Sequence, residues 1–281
     1  MRAPNVTESK MAAGFLIDTD PTGVVFPPKG QTRPAVFHPS KENPLVSCVM
    51  VSRGNVEILR HSVNCFLRQT YKNLELVVIL QNMSPSLRSY FDSIKNAGRP
   101  IRIYTVPVAL TLGDLRNMAI ARARGSLICQ WDDDDLHHSR YLDYMVGFME
   151  ANAVGFAFLM QWTIWWPSRR QFALSQYRCW EGSIVADRSL IPIYPSLEKK
   201  EDTFVTGATV RRRTIVAVQA PQLYVYTVTG ENTWDERHME SMSEGEGAVR
   251  CADEDYGLIF DRLDSLYEVA DYQRYCLSAR P

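Results

Sequence analysis

Short apolar runs alternate with amphipathic segments along the first half of the chain. The runs, each short enough for a strand buried on both faces, are residues 45–51, 74–80, 101–106 and 127–131. Between them, apolar residues recur at steps of three and four over 56–67, after Asn55 as a predicted N-cap. A second helix is predicted over 112–124, ending at Gly125. Strands that alternate with helices predict right-handed βαβ units and a mostly parallel sheet.

The second half is less regular and richer in predicted strands. A helix is predicted over 141–150, strands over 154–166 and 182–186, and a last helix over 256–267. Residues 1–43 lack periodicity and hold several Pro and Gly residues, so we expect an irregular N-terminal extension there. The whole pattern predicts an α/β protein in which a β-rich portion follows the parallel layer.

Composition narrows the classes of partner. The 281 residues are 46% hydrophobic, which is enough for a full core. Lys and Arg (31) nearly balance Asp and Glu (32), so there is no overall field to hold nucleic acid. The six cysteines show no CxxC spacing, which favours free buried thiols in a reducing compartment over disulfides.

The longest apolar stretch is too short for a transmembrane helix. Residues 154–166 contain Gln161 and fall below the roughly 20 residues that span a bilayer. The N-terminus shows no basic region followed by an apolar segment, so we expect a cytoplasmic protein without a transmembrane segment. Trp162, Trp165 and Trp166 favour a buried strand beside an aromatic pocket, with peripheral membrane contact as the alternative.

Four consecutive aspartates, residues 132–135, follow Trp131 at the end of a predicted buried strand. Like charges packed at a strand end repel, and a divalent cation such as Mg²⁺ or Mn²⁺ would neutralise them. Asp132 and Asp134 share a side of an extended backbone and are the better candidates for one site. The alternative is a solvated acidic turn with Asp135 as the N-cap of the next helix. We expect His137 and His138, which follow the aspartates, to be helix-start residues and not metal ligands.

Four blocks in this order resemble the family 2 glycosyltransferases of the GT-A fold. They are Pro44 to Gly54, Arg68 to Val78, Leu112 to Asn117 and Gln130 to Asp135. The resemblance implies inverting transfer of a sugar from a nucleoside diphosphate donor to a hydroxyl of a glycan, lipid-linked or small-molecule acceptor. It also implies Mg²⁺ or Mn²⁺ and a mostly parallel, helix-flanked nucleotide-binding sheet with a smaller acceptor-side β portion.

The resemblance also implies a division of the chain. We expect the irregular extension over 1–43, the GT-A domain over 44–240 and a C-terminal helical segment over 241–281. Within the domain, residues 44–135 would bind the nucleotide sugar and residues 136–240 would shape the acceptor side.

On the donor side, the resemblance assigns the metal to Asp134 and Asp132. It suggests that Ser52 and Arg53 line the nucleotide pocket, and we include Asp133 in the donor site. The pair Arg116-Asn117 resembles the family's Arg-Asn pair. In that pair the planar guanidinium of Arg would donate several hydrogen bonds to the nucleotide or its phosphates. A solvated surface arginine is the alternative for Arg116.

On the acceptor side, the segment around Glu201 and Asp202 resembles the family's Glu-Asp motif. An inverting displacement needs one base on the acceptor hydroxyl, and motif position assigns it to Asp202 with Glu201 as its neighbour. The alternative is an exposed charge run at a helix start. Trp180 and Glu181 resemble an acceptor block, where an indole face would stack on a sugar ring; Trp180 could equally be core.

Two departures from the family pattern affect the site. Gln81 stands where many relatives carry an Asp that reads the base, although an amide can also read a base by hydrogen bonds. Thr229 stands where relatives often carry a metal-binding His, and His238 is the candidate substitute.

These departures motivate one alternative function, a non-catalytic GT-A-like protein that binds nucleotide, sugar or a partner enzyme. A nucleotidyltransferase is a third hypothesis, because it also uses paired carboxylates and a metal. It would require a Gly-rich, Lys-containing phosphate loop after the first strand, and residues 52–55 match that poorly.

Overall fold

The computed structural model describes residues 20–28, 43–106 and 110–278. Its strands are β1 (Thr22–Phe26), β2 (Val46–Ser52), β3 (Leu74–Leu80), β4 (Ile101–Thr105), β5 (Leu127–Gln130), β6 (Leu136–His137), β7 (Phe156–Leu159), β8 (Thr163–Trp166), β9 (Gln171–Leu174), β10 (Val185–Asp187), β11 (Ile215–Gln219), β12 (Tyr224–Thr227) and β13 (Val249–Arg250). Its α-helices are α1 (Val56–Leu67), α2 (Pro85–Ile94), α3 (Leu112–Arg122), α4 (Tyr141–Ala151), α5 (Glu201–Arg212), α6 (Glu236–Met242), α7 (Tyr256–Tyr267) and α8 (Ala270–Ser278).

The larger sheet has eight strands in the order β1-β11-β7-β10-β5-β2-β3-β4. Strands β5, β2, β3 and β4 are parallel, and all seven residues of β3 are buried. Short continuous apolar runs of this kind are expected where helices cover both faces. Because the carboxyl ends of parallel strands meet at one edge, the residues that follow β2, β3 and β5 lie there together.

The smaller sheet has five strands in the order β13-β9-β8-β12-β6. Strand β6 begins directly after the acidic run and pairs antiparallel with β12. The acidic run therefore leaves the larger sheet at the end of β5 and enters the smaller sheet at β6. The acidic run is therefore anchored by β5 on its amino-terminal side and by β6 on its carboxy-terminal side.

Several elements confirm the sequence prediction. The helix predicted over 56–67 is α1, and its predicted N-cap, Asn55, accepts a hydrogen bond of 3.1 Å from the backbone N–H of Glu57. The strand predicted over 74–80 is β3, and the helix predicted over 256–267 is α7. All six cysteines are free, as predicted.

Two segments differ from the prediction. Strand β1 lies within residues 1–43, where we expected no regular element, and pairs antiparallel with β11. Its partner is almost 200 positions away, and pairing at that distance leaves no local periodic signal. The predicted strand over 154–166 is two strands, β7 in the larger sheet and β8 in the smaller. Residues 1–19 and 29–42 of the predicted extension lie outside the described residues.

The helix-cap interpretation of Asp135 is wrong. Its carboxylate is fully buried and accepts hydrogen bonds from the Tyr224 hydroxyl and, at 2.9 Å, from the backbone N–H of Thr227. The N-cap position of α4 is Arg140, five residues later. These hydrogen bonds attach the end of the acidic run to strand β12 of the smaller sheet.

His137 also differs from the prediction, because it lies in β6 and not at a helix start. Its imidazole is buried and stacks on Trp131, with ring centroids 3.8 Å apart. His138 lies in the turn before α4, where its Nδ1 accepts a hydrogen bond from the backbone N–H of Arg140. The apolar surroundings of His137 lower its pKa to about 3, so it stays neutral.

The tryptophans of the predicted aromatic strand are buried, in agreement with the buried-strand interpretation; they are Trp162, Trp165 and Trp166. Across residues 20–28, 43–106 and 110–278, none of the helices combines the length and apolar character needed to cross a membrane.

Candidate active site

Asp132 is held by groups on two different elements. Its Oδ1 forms an ion pair of 3.0 Å with Nη1 of Arg116, on α3, and its Oδ2 accepts a hydrogen bond of 3.0 Å from Nε2 of Gln130. The Nε of Arg116 lies 3.0 Å from Oε1 of Glu201, the first residue of α5. Arg116 therefore joins the acidic run to the segment that carries Asp202.

Asp134 is held by a residue that sequence reasoning missed. Nδ2 of Asn232 donates a hydrogen bond of 2.7 Å to Oδ2 of Asp134. The same amide is oriented by the backbone N–H of Thr229, which donates to Oδ1 of Asn232 at 2.8 Å. The sequence signal was the departure itself, because Thr229 lacks the imidazole of relatives and Asn232 stands three residues further on.

The carboxyl groups of the acidic run are crowded together and largely removed from solvent, which disfavours their charged forms. Burial raises the pKa of Asp133 to about 6, although a hydrogen bond from Ser52 opposes the shift. Burial, together with the charges of Asp135 and Asp133, raises the pKa of Asp134 well above its usual range. Repulsion of this kind is relieved when a cation binds among the carboxylates.

Two cavities adjoin at the acidic run. The smaller has a volume of about 110 Å³ and the larger about 370 Å³. Their shared lining consists of Val51, Leu112, Asp133, Asp134 and Thr233. A ligand with two parts could therefore occupy both cavities and pass over Asp133 and Asp134.

The smaller cavity brings together three of the predicted nucleotide-binding residues. Ser52 and Arg53 follow β2, Gln81 follows β3, and all three line this cavity. They meet here because β2 and β3 are parallel neighbours whose carboxyl ends share one edge. Thr229 and Asn232, from the loop after β12, also line this cavity.

The larger cavity brings together the predicted catalytic and acceptor-binding residues. Trp180, Glu181, Glu201 and Asp202 line it, together with His238, the candidate metal ligand. The sequence predicted Trp180 at this site but not its neighbour Trp162. The two indoles stack, with ring centroids 4.3 Å apart. The cavity thus combines carboxylates with aromatic side chains, a lining that is common in small-molecule sites.

Glu201 and Asp202 have different surroundings. Glu201 is buried, with 1% of its surface exposed, and its carboxylate is occupied by Arg116. Asp202 is half-buried, and its Oδ1 accepts a hydrogen bond of 2.6 Å from the backbone N–H of Thr203. Burial raises the pKa of Asp202, against the charge of Arg116 and with that of Asp132. The more accessible carboxylate is therefore Asp202.

The predicted Arg-Asn pair separates in the structure. Arg116 is buried and lines the larger cavity between its two carboxylate partners. Asn117 faces the other way: its Nδ2 donates to the carbonyl oxygen of Tyr194 at 2.8 Å, and its Oδ1 accepts from the N–H of Tyr194 at 2.9 Å. Both polar ends of the Asn117 amide are thus used to hold the loop before α5.

His238 lies on α6 and lines the larger cavity. Its imidazole stacks on Trp234, with centroids 4.1 Å apart and planes 21° from parallel, and burial lowers its pKa. Within the described residues, no group of three or more His, Cys, Asp or Glu side chains is arranged to hold a metal ion by itself.

Comparison with known sequences identifies the family. The model of glycosyl transferase family 2 matches residues 47–216, more than half of the chain. An Escherichia coli relative, UDP-Glc:alpha-D-GlcNAc-diphosphoundecaprenol beta-1,3-glucosyltransferase WfgD, is 29% identical over 114 residues, which are 41% of this chain and 44% of the relative. An uncharacterized glycosyltransferase of Haemophilus influenzae is 24% identical over 109 residues, 39% of this chain and 34% of the relative. The matched segments span less than half the length of these relatives.

Solved structures confirm the expected GT-A fold. TarS 1-349 of S. aureus has a TM-score of 0.53 at 13% identity, covering 81% of this chain and 74% of TarS 1-349. GalNAc-T7, solved with UDP, GalNAc and Mn²⁺, has a TM-score of 0.50 at 11% identity, covering 66% of this chain and 44% of GalNAc-T7. At such low identity the likeness shows the fold alone. With the fold and the family match together, this chain belongs to glycosyl transferase family 2.

Proposed function

We propose that this chain is an inverting glycosyltransferase that moves a sugar from a nucleoside diphosphate donor to an acceptor hydroxyl. The observation that carries the proposal is the pair of adjoining cavities with Asp133 and Asp134 in their shared lining. The nucleotide would occupy the smaller cavity, the sugar and acceptor would occupy the larger one, and the diphosphate would pass over the aspartates between them.

Donor binding rests on residues at the carboxyl edge of the parallel sheet. Ser52, Arg53 and Gln81 would contact the nucleotide, since they line the smaller cavity. Gln81 offers both a donor and an acceptor to a base, in place of the carboxylate of many relatives. GalNAc-T7 and a TarS 1-349 complex were solved with UDP and UDP-GlcNAc, respectively, which makes uridine nucleotides the first probes for this chain.

The donor chemistry at the aspartates fits a divalent cation. Carboxylate oxygens are the hard ligands that Mg²⁺ and Mn²⁺ prefer, and Mg²⁺ commonly takes one or two of them together with substrate phosphates. Asp134 is the better ligand of the predicted pair, because it lines both cavities and accepts a hydrogen bond from the neutral amide of Asn232, whereas Asp132 is ion-paired with Arg116. A bound cation would act as a Lewis acid that stabilises the departing diphosphate.

Asp202 is proposed as the base. In an inverting displacement, the acceptor oxygen bonds to the anomeric carbon while the bond from that carbon to the diphosphate breaks, and the hydroxyl proton must leave. Asp202 would accept this proton, since it lines the larger cavity and is more exposed than Glu201. Glu201 would hold Arg116 in place, and Arg116 would orient Asp132.

The acceptor side is proposed to bind a sugar-like ring. The indoles of Trp162 and Trp180 contribute an apolar wall to the larger cavity, beside which a sugar-like ring would pack, and Glu181 supplies a polar group in the same lining. A glycan, lipid-linked or small-molecule hydroxyl would suit this arrangement. The E. coli relative is named for a diphosphoundecaprenol-linked acceptor, which makes lipid-linked glycans a rational first class to test.

The proposal is tested by a thermal-shift screen of UDP, GDP, ADP and their sugar derivatives with and without Mn²⁺. A ligand that binds only the native state raises the melting temperature, by an amount that grows with its concentration above Kd. We expect a shift that needs both nucleotide and Mn²⁺, and that disappears in Asp134→Asn. Asp92→Asn, the same chemical change at an exposed position on α2, is the matched control and should behave as wild type.

Turnover distinguishes the enzyme from a binding protein. We expect metal-dependent release of the nucleoside diphosphate from its sugar donor, and we expect Asp202→Asn to keep nucleotide binding but lose transfer. Nucleotide binding without turnover on any donor and acceptor would favour the non-catalytic alternative. Absence of any metal-dependent shift with every nucleotide would contradict the proposal.

A further inference from the structure

The main chain of the acidic run is held by two hydroxyl groups. The Ser62 hydroxyl, on α1, donates a hydrogen bond of 2.7 Å to the carbonyl oxygen of Asp132. The Tyr272 hydroxyl, on α8, donates one of 3.0 Å to the carbonyl oxygen of Asp134. The two backbone positions held in this way are those of the predicted metal-binding pair. A hydrogen bond to a carbonyl oxygen restrains the peptide plane that follows the residue, and this limits the directions that its side chain can take.

Tyr272 is itself held by two aromatic neighbours. Its ring is fully buried, stacks on His61 with centroids 4.6 Å apart and planes 4° from parallel, and lies nearly perpendicular to Trp165, with ring centroids 6.0 Å apart. His61 is the residue before Ser62, so one turn of α1 supports both hydroxyl contacts. A phenol held this rigidly can place its hydroxyl without losing much rotational freedom when the hydrogen bond forms.

Helix α8 also reaches the loop that carries Asn232. The Tyr275 hydroxyl donates a hydrogen bond of 3.0 Å to Glu231, the residue before Asn232, and accepts one of 2.8 Å from Nδ2 of Asn55. Helix α8 therefore makes two contacts near Asp134. Tyr272 bonds the backbone of Asp134, and Tyr275 bonds the loop whose Asn232 holds the Asp134 carboxylate. This helix lies beyond residue 216, where the family match ends.

We propose that α8 is part of the donor site: Tyr272 is a positioning residue that aims the carboxylate of Asp134 by holding its carbonyl, and Tyr275 positions the Asn232 loop against it. The inference rests on the proposed function and adds a specific role for a segment outside the family match. It accounts for a buried tyrosine hydroxyl aimed at a backbone atom of the acidic run, 138 positions away in the sequence.

The test compares Tyr272→Phe with Tyr71→Phe. Each change removes the hydroxyl of a buried tyrosine, and each hydroxyl donates a hydrogen bond to a backbone carbonyl oxygen. The Tyr71 hydroxyl donates to the carbonyl oxygen of Pro44 at 2.6 Å, beside the amino end of β2. Binding of Mn²⁺ is measured from the electron paramagnetic resonance signal of the free ion, with the ion alone, with UDP and with GDP. We expect Tyr272→Phe to weaken Mn²⁺ binding about three- to tenfold in the presence of nucleotide, the size of one hydrogen bond. Tyr71→Phe should leave Mn²⁺ binding unchanged.

Tyr275→Phe, at a more exposed position, provides a second variant if Tyr272→Phe does not fold, and it should weaken Mn²⁺ binding about twofold or more, since its contact is indirect. Equal Mn²⁺ binding in Tyr272→Phe and Tyr71→Phe overturns the positioning role, as does wild-type binding in Tyr275→Phe when Tyr272→Phe cannot be obtained. Failure of wild type itself to bind Mn²⁺ with any nucleotide contradicts the proposed function, which is a different result from equal binding among the variants.

Discussion

Arg116 forms a buried ion pair with Glu201, in which Nε lies 3.0 Å from Oε1. The same guanidinium reaches Asp132 with Nη1 at 3.0 Å, so one arginine joins the acidic run to the first residue of α5. Burial disfavours the charge on Arg116, yet the two carboxylates raise its pKa above the usual range. The position of Asp202, the next residue in α5, therefore depends on a charge network that begins at the acidic run.

Replacing Arg116 with Met should destabilise the fold strongly. The change leaves Asp132 and Glu201 without their counter-charge, and removing one partner of a buried ion pair costs about 3–5 kcal/mol. Urea denaturation measures this loss. Arg88→Met, at an exposed position on α2, is the control and should change the free energy of unfolding by less than about 0.5 kcal/mol. Similar losses in the two variants would show that the network contributes little.

The pH profile of transfer should show the base. The pKa of Asp202 is raised by burial, and a base works only in its deprotonated form. At saturating Mn²⁺, kcat/KM should therefore fall as the pH drops through a value above the ordinary Asp pKa of about 3.9. Release of nucleoside diphosphate in the presence of acceptor is the measurement. If the residual activity of Asp202→Asn follows the same acidic limb as wild type, another group is the base.

The elements that sequence predicted well share a local cause. The periodicity of α1 and the continuous apolar run of β3 depend on residues within one segment, and both have the predicted bounds. Because β2, β3 and β5 are parallel neighbours, their carboxyl ends bring Gln81 and the acidic run to the same edge. Chain order and strand direction therefore sufficed to predict that these residues meet at one edge of the sheet.

The features that sequence missed depend on contacts between distant residues. The sequence offered a helix cap as one interpretation of Asp135, but its partners are Tyr224 and Thr227, about 90 positions later. The partner of Asp134 is Asn232, and an asparagine in a loop has no periodicity that marks it. The partners of Asp134 and Asp135 are set by hydrogen bonds between residues far apart in the chain, and a single sequence carries no pattern that predicts such pairs.

His238 should not act as a ligand of the metal at the acidic run. Its imidazole stacks on Trp234, whereas the partner of the Asp134 carboxylate is Asn232. We therefore expect His238→Gln to bind Mn²⁺ with nucleotide within about twofold of wild type, by the same resonance measurement. Loss of a metal ligand or of its supporting partner typically costs about 10- to 100-fold in affinity, so a change of that size would restore His238 to the metal site.

Glu75 should stabilise the fold in a way that depends on pH. The carboxylate is buried at the start of β3, where Ser47 donates at 2.6 Å, the N–H of Arg124 at 2.7 Å and Nη2 of Arg102 at 2.7 Å. Burial opposes ionisation, but these donors together lower the pKa of Glu75. Glu75→Gln removes the charge that they share, and we expect a loss of about 1–3 kcal/mol at neutral pH.

The sign of the pH effect at Glu75 follows from its lowered pKa. The stabilisation is present above the unfolded pKa of about 4.3, because the folded state keeps the carboxylate ionised more readily than the unfolded chain does. It is lost as the pH falls from there through the folded pKa. The difference in unfolding free energy between wild type and Glu75→Gln should therefore be constant from neutral pH down to that point and shrink below it. Glu150→Gln, at an exposed position on α4, is the control and should show no such difference from wild type. If wild type remains more stable than Glu75→Gln in strong acid, the charge of Glu75 is not the cause of the stabilisation.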